Sequence, residues 1–106
     1  MVKKFLLLKE LDHNILTRKT ISALFEKINS LKEKEIILDF KDIDFISRSC
    51  ADEYLKQKEK SKKKIVEKNI PKEVCSMFTA VKGQYEKEGV NISFVSCSNS
   101  KQEIMV

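Results

Sequence analysis

The sequence predicts a small α/β domain with the element order β-α-β-α-β-α-β, and three patterns carry that prediction. Residues 35–40 (EIILDF) form a short β-branched and apolar run bounded by charge, the pattern of a central strand. Ile21, Leu24, Phe25, Ile28 and Leu31 recur at three- and four-residue spacing, which makes one face of a helix apolar. Val74, Phe78, Val81 and Tyr85 repeat that spacing after Pro71. Strands alternating with helices imply crossovers that return the chain to one sheet. A chain of 106 residues suffices for one such domain and a single core.

Taken in order, residues 2–9 read as a first strand, apolar on both faces from Phe5 to Leu8, as in a covered strand. A polar turn at 11–14 leads into a helix over about 16–31, with Thr17 or Asn14 as its cap. After the 35–40 strand, residues 41–44 turn the chain, and Phe45 and Ile46 anchor it back into the core. Ser49 can then cap a second helix in which Ala51, Tyr54 and Leu55 share a face. Ile65 and Val66 indicate a strand over about 64–69, although the flanking lysines also suit an extension of the helix. Pro71 fits the first turn of a third helix, where its missing donor costs nothing, and Gly89 suits its end. Residues 91–96 (NISFVS) alternate as a last strand, and a polar tail from about 97 is expected to be loosely ordered.

Composition narrows the function. Hydrophobic residues at 42% and charged residues at 35% describe a folded chain with a heavily charged surface rather than a disordered one. The longest apolar run, Phe5 to Leu8, is far too short to span a bilayer. The basic, leucine-rich start imitates a signal peptide, but charge resumes at Lys9, so it reads as a strand. Cys50, Cys75 and Cys97 are odd in number and widely spaced; they read as three reduced thiols of a cytoplasmic protein, not a zinc site. With two glycines, a single histidine (His13) and no nucleophile motif, the chain lacks the usual signatures of a catalyst or a phosphate-cradling loop. The expectation is a non-enzymatic protein without cofactor or metal.

The segment LDFKDIDFISRSCADEYL, together with ELDHN before it and IPKEVCSMF after it, resembles STAS domains, the family of bacterial anti-sigma-factor antagonists and sulfate-transporter cytoplasmic domains. It is most similar to a divergent STAS-like branch that reads as an LDF strand, a turn, and then FIS.S.ADE. The likeness implies one STAS-like domain over residues 1–106, an α/β sandwich with a mixed sheet of about four strands and three or more helices. It further implies a regulatory protein-interaction domain that docks a partner, such as an ATPase of the histidine-kinase-like fold, through the turn at Ser47, Arg48 and Ser49 and the helix after it. In the anti-sigma-factor antagonists this turn reads F-M-D-S-S-G and its first serine is phosphorylated. Here Phe45 and Ile46 match the apolar pair, Ser47 replaces the aspartate, Arg48 stands at the acceptor, Ser49 matches the second serine, and Cys50 replaces the glycine. Arginine cannot accept a phosphoryl group and adds fixed positive charge to the helix start.

Several residues are therefore candidates. Ser47 and Ser49 are candidate phosphorylation sites, since a phosphate at a helix start beside an arginine is locally favoured. Ser47, Arg48, Ser49, Asp52, Glu53 and Lys56 form the candidate partner-binding surface. Asp39, Asp42 and Asp44 superficially suggest a metal edge but read as turn residues. A second reading rests on Lys56, Lys58, Lys60, Lys62, Lys63 and Lys64. Residues 56–64 hold six lysines against one glutamate, an excess equal to the net charge of +5. Such a patch suits electrostatic binding of nucleic acid or an anionic membrane. Its lack of interleaved aromatics and of a recognition-helix pattern favours a solvated helix end, and after it contact with an acidic protein partner, over both.

Overall fold

The computed structural model describes residues 2–7, 11 and 14–89, and the expected last strand at 91–96, the tail, His13 and Cys97 lie outside the described residues. Within them the chain forms β1 (Val2–Leu6), β2 (Asn14–Ile15), α1 (Arg18–Asn29), β3 (Glu35–Asp39), β4 (Phe45–Ile46), α2 (Arg48–Lys60), β5 (Lys64–Lys68) and α3 (Lys72–Lys87). The α/β class and the three helices are as expected.

The sheet differs from the expectation of one mixed, four-stranded unit. β1, β3 and β5 form a parallel sheet with β3 in the centre, while β2 and β4 pair separately, also in parallel. The separation has a local cause. Asp42 takes a left-handed conformation with φ 66°, a conformation aspartate tolerates, and the turn sends Phe45 and Ile46 beside Asn14 and Ile15. Runs this short carry no periodicity that a sequence reading can detect.

Register and pleat decide which side of the sheet is covered. Phe5, Leu38 and Glu67 lie in one row across the three strands. Lys27 of α1 sits 5.5 Å above the Phe5 ring and Tyr54 of α2 donates to Glu67, so the helices lie on that face. Ile21, Leu24, Phe25 and Ile28 of α1, Cys50, Ala51, Tyr54 and Leu55 of α2, and Val74, Phe78 and Val81 of α3 are buried there. The Tyr54 ring stands at the middle of the layer, 5.4 Å from Phe25, 6.0 Å from Phe40 and 5.1 Å from Phe78 between centroids. Each such edge or tilted aromatic pair adds about 0.5–1.5 kcal/mol beyond burial.

The Tyr54 hydroxyl donates to Glu67 at 2.6 Å, and Lys58 reaches the same carboxylate oxygen at 2.9 Å. A carboxylate in a strand facing the core would be costly alone; here a hydroxyl and an ammonium hold it. Burial, and then the Glu67 charge, push the Tyr54 hydroxyl pKa well above its ordinary value.

Helix ends follow local chemistry. Thr17 caps α1, its hydroxyl oxygen accepting from the Thr20 amide at 3.4 Å. Pro71 lies at the cap of α3, one position before the helix, and Gly89 ends the helix with φ 79°. Three expectations are corrected. The cap of α2 is Ser47 rather than Ser49, because the helix starts at Arg48 and the Ser47 hydroxyl accepts from the Cys50 amide at 3.2 Å. Phe45 is 42% exposed rather than anchored in the core; Ile46 takes the inward place, and successive strand residues face opposite sides. Cys75 is disulfide-bonded, with its partner outside the described residues, so only Cys50 is a free, buried thiol here. A bond between thiols distant in the chain leaves no spacing signal.

Candidate docking corner and basic surface

β2 and β4 bring the two ends of the candidate turn together. Asn14 pairs with Phe45 and Ile15 with Ile46. The Ser47 hydroxyl donates to the Leu16 carbonyl at 3.2 Å, and the Ser47 amide donates to the Ile15 carbonyl at 2.8 Å. Ile15 and Ile46 point inward, so period-two alternation points Phe45, Leu16 and Ser47 outward together. Leu16 is 57% exposed. With Phe45 it makes an uncovered apolar pair beside the start of α2.

Arg48 opens α2 next to that pair. It is exposed and makes no ion pair or side-chain hydrogen bond among the described residues. Ser49 follows, half-buried, its hydroxyl 3.2 Å from that of Ser47. Both Arg48 and Ser49 border a groove of about 510 Å³ whose other walls include Val81, Gln84 and Tyr85 of α3.

Arg18, Asp52 and Lys56 line the same groove, as part of a charged clasp that joins the three helices. Arg18, the first residue of α1, forks across α2, one nitrogen 3.0 Å from Asp52 and the other 3.2 Å from Glu53. Tyr85 of α3 donates to the other oxygen of Asp52, and Lys56 approaches Asp52 at 3.4 Å. Glu53 also accepts from Gln57 at 2.7 Å and from Ser22 at 3.4 Å. Partial burial opposes ionisation of Asp52, yet the bonds from Tyr85 and Arg18 and the Lys56 charge outweigh it and hold its pKa below the ordinary value. The Gln57 amide is the largest influence on Glu53 and, with Arg18, lowers its pKa despite burial. Burial and the bond to Asp52 push the Tyr85 hydroxyl up to about 12. The Asp52 hydrogen bond is the main cause of a raised pKa at Arg18.

The six candidate partner-binding residues thus divide into three groups. Ser47 caps, Arg48 and Ser49 face outward, and Asp52, Glu53 and Lys56 are held in contacts between or along helices. Leu16, Phe45, Arg18 and Tyr85 were absent from that set. The outward pair was legible in principle, because an inward Ile46 places Phe45 on the other face; the Arg18 fork, joining residues 34 and 35 positions apart, left no sequence signal.

The basic run does not form one surface. Lys56 pairs with Asp52 and Lys58 with buried Glu67, while Lys63 donates to the carbonyls of Leu31 at 2.5 Å and Glu33 at 2.7 Å. Lys60 and Lys62 instead share a second hollow with Lys32 and Lys34, and Lys64 is exposed nearby. Among the aspartates, Asp39 accepts from the Lys41 amide and the Asn69 side chain, both at 3.0 Å; these bonds outweigh burial and lower its pKa. Among the described residues no group of three or more His, Cys, Asp or Glu side chains is placed to hold a metal ion, and no helix is long and apolar enough to cross a membrane.

Among the described residues, fold and corner together define a small α/β unit with a parallel three-stranded sheet, one helical layer, and an arginine and apolar pair exposed at a strand-to-helix junction. Compared with known proteins, the chain matches no family model, no curated protein and no solved structure.

Proposed function

We propose that this chain is a non-enzymatic, STAS-like regulatory domain that docks a protein partner at the corner formed by Leu16, Phe45, Arg48 and Ser49. The observation that carries the reading is the exposed pair Leu16 and Phe45 beside an Arg48 whose side chain has no partner among the described residues. Apolar contact supplies affinity, and an arginine fork at its edge selects a carboxylate or phosphate on the partner. The resemblance of LDFKDIDFISRSCADEYL to the STAS-like branch supports a regulatory partner, with an ATPase of the histidine-kinase-like fold as the leading class. Arg18, Asp52, Glu53 and Lys56 hold α2 in place, and Arg18, Asp52 and Lys56 also line the groove beside Arg48 and Ser49.

Of the two candidate phosphorylation sites, Ser49 is the better placed. The Ser47 hydroxyl both caps α2 and donates to Leu16, and a phosphoryl group there would remove that donor. A phosphate on Ser49 would border the groove at a helix start, beside Arg48, and change what the corner binds without opening the helix.

Affinity capture from a native lysate, with intact-mass measurement of the bait, tests the reading. Arg48→Glu and Phe45→Ser should each reduce recovery of the same partner at least about tenfold while the far-UV spectrum and thermal midpoint stay near wild type. Unchanged recovery with both variants would remove the corner from consideration.

A further inference from the structure

The second hollow, about 620 Å³, lies at the far end of α2 from the docking corner. It is lined by Lys32, Lys34, Lys60, Lys62 and Lys63 together with Asn29 and Ser61, so every charged group in its wall is an ammonium. Lys60 ends α2, and the other lysines come from two loops, one leading into β3 and one into β5. The Lys64 amide donates to the Lys34 carbonyl at 2.8 Å, which fixes the loops side by side. The Ser61 hydroxyl donates to Asn29 at 2.8 Å and accepts from the Lys63 amide at 3.1 Å, joining the ends of α1 and α2 beneath them.

Lysines at helix C-termini commonly complement the terminal carbonyls. Here Lys63 instead bonds the carbonyls of Leu31 and Glu33 in the loop after α1. The ammonium groups of Lys32, Lys34, Lys60 and Lys62 have no carboxylate or hydrogen-bond partner among the described residues. Four ammonium groups without a carboxylate partner among the described residues, held at the end of α2 and on two fixed loops, repel one another, and an external polyanion relieves that repulsion.

We propose that this hollow binds the phosphodiester backbone of a nucleic acid, without reading its bases. Its walls contain no aromatic residue to stack a base and no arginine fork to read one, so charge alone is recognised. A bilayer surface is flat and suits an apolar residue for insertion, whereas this surface is concave and its lining holds no apolar side chain; Leu16 and Phe45 lie by the far end of α2, and exposed Val2, paired with Glu35, is outside the lining. An acidic protein segment would be expected to find an apolar anchor, and the lining offers none. Arg48 and Lys60 stand at opposite ends of α2, roughly 18 Å apart at 1.5 Å per residue, so a docked protein and a bound nucleic acid need not collide.

Fluorescence anisotropy with a labelled mixed-sequence duplex, its single strands, phosphatidylserine vesicles and polyglutamate tests the inference. With four phosphate contacts, duplex affinity should fall on the order of a hundredfold between about 50 and 200 mM salt, a log-log slope of about −3.6. A variant with Lys32, Lys34, Lys60 and Lys62 replaced by alanine should lose at least about tenfold in affinity and most of that slope. A control variant with exposed Lys19, Lys41, Lys72 and Lys87 replaced carries the same change in charge and should bind far better than the first. Thermal melts establish that both variants fold. Failure of either nucleic acid to bind at low salt, equal losses in the two variants, or binding to vesicles or polyglutamate as tight as to the duplex would overturn the proposal. None of these results bears on the docking corner.

Discussion

At the start of α2 the Ser47 hydroxyl accepts the Cys50 amide proton and donates to the Leu16 carbonyl. Ser47→Ala should therefore lower stability by about 1–2 kcal/mol, the usual loss for a helix cap. Ser49→Ala, two residues on, should cost under about 0.5 kcal/mol in the same urea titration. Equal costs would mean that the two hydroxyls share the cap. Deeper in the layer, Tyr54→Phe keeps the ring and its aromatic neighbours but removes the donor that satisfies Glu67. A loss of about 1–3 kcal/mol is expected. A variant as stable as wild type would show that Lys58 alone satisfies the carboxylate. Neither role was legible beforehand. A hydroxyl pair two residues apart gives two candidate caps, and Tyr54 and Glu67 meet only when α2 packs on β5.

Among elements, the clasp of Arg18, Asp52, Glu53 and Tyr85 positions the docking helix, and it titrates. Asp52 and Glu53 both have pKa values depressed in the folded state. Their contribution is fully present above the unfolded carboxylate range and is lost as pH falls through the folded values, that is, below about pH 4. Asp52→Asn with Glu53→Gln should lower stability at pH 7 and flatten its decline below about pH 4. Denaturant midpoints across that range measure both effects; a parallel shift of the whole acid limb would assign the pH dependence to other groups. Tyr85 acts at the alkaline end. Its hydroxyl is raised to about 12, so its contribution is complete below about pH 10 and declines as pH rises through 12. Tyr85→Phe should remove that component. The helices themselves were largely legible, because the stripes Ile21, Leu24, Phe25, Ile28 and Val74, Phe78, Val81 repeat at helical spacing and are buried as expected. The clasp was not, because periodicity says which face is apolar and nothing about which charges meet across helices.

For the whole molecule, strand and helix order followed from local pattern, and the partition of strands did not. EIILDF declared a central strand because apolar residues on both sides of a pleat need cover. β2 and β4, two residues each, are defined by each other and by the left-handed Asp42, none of which a single segment reveals. The charge distribution changed most. A run of lysines adjacent in sequence divides between α2, buried Glu67 and a hollow shared with Lys32 and Lys34. The molecule consequently presents two distinct ends along α2, an apolar corner with an arginine and a purely basic hollow. The central claim is that a partner protein sits on the first of these. Amide hydrogen exchange on the complex captured from lysate, compared with the free domain, tests it most directly. Slowed exchange should centre on residues 14–18 and 45–51, with amides of 29–34 and 60–64 unchanged. Protection confined to 29–34 and 60–64, with the corner exchanging as in the free domain, would contradict it.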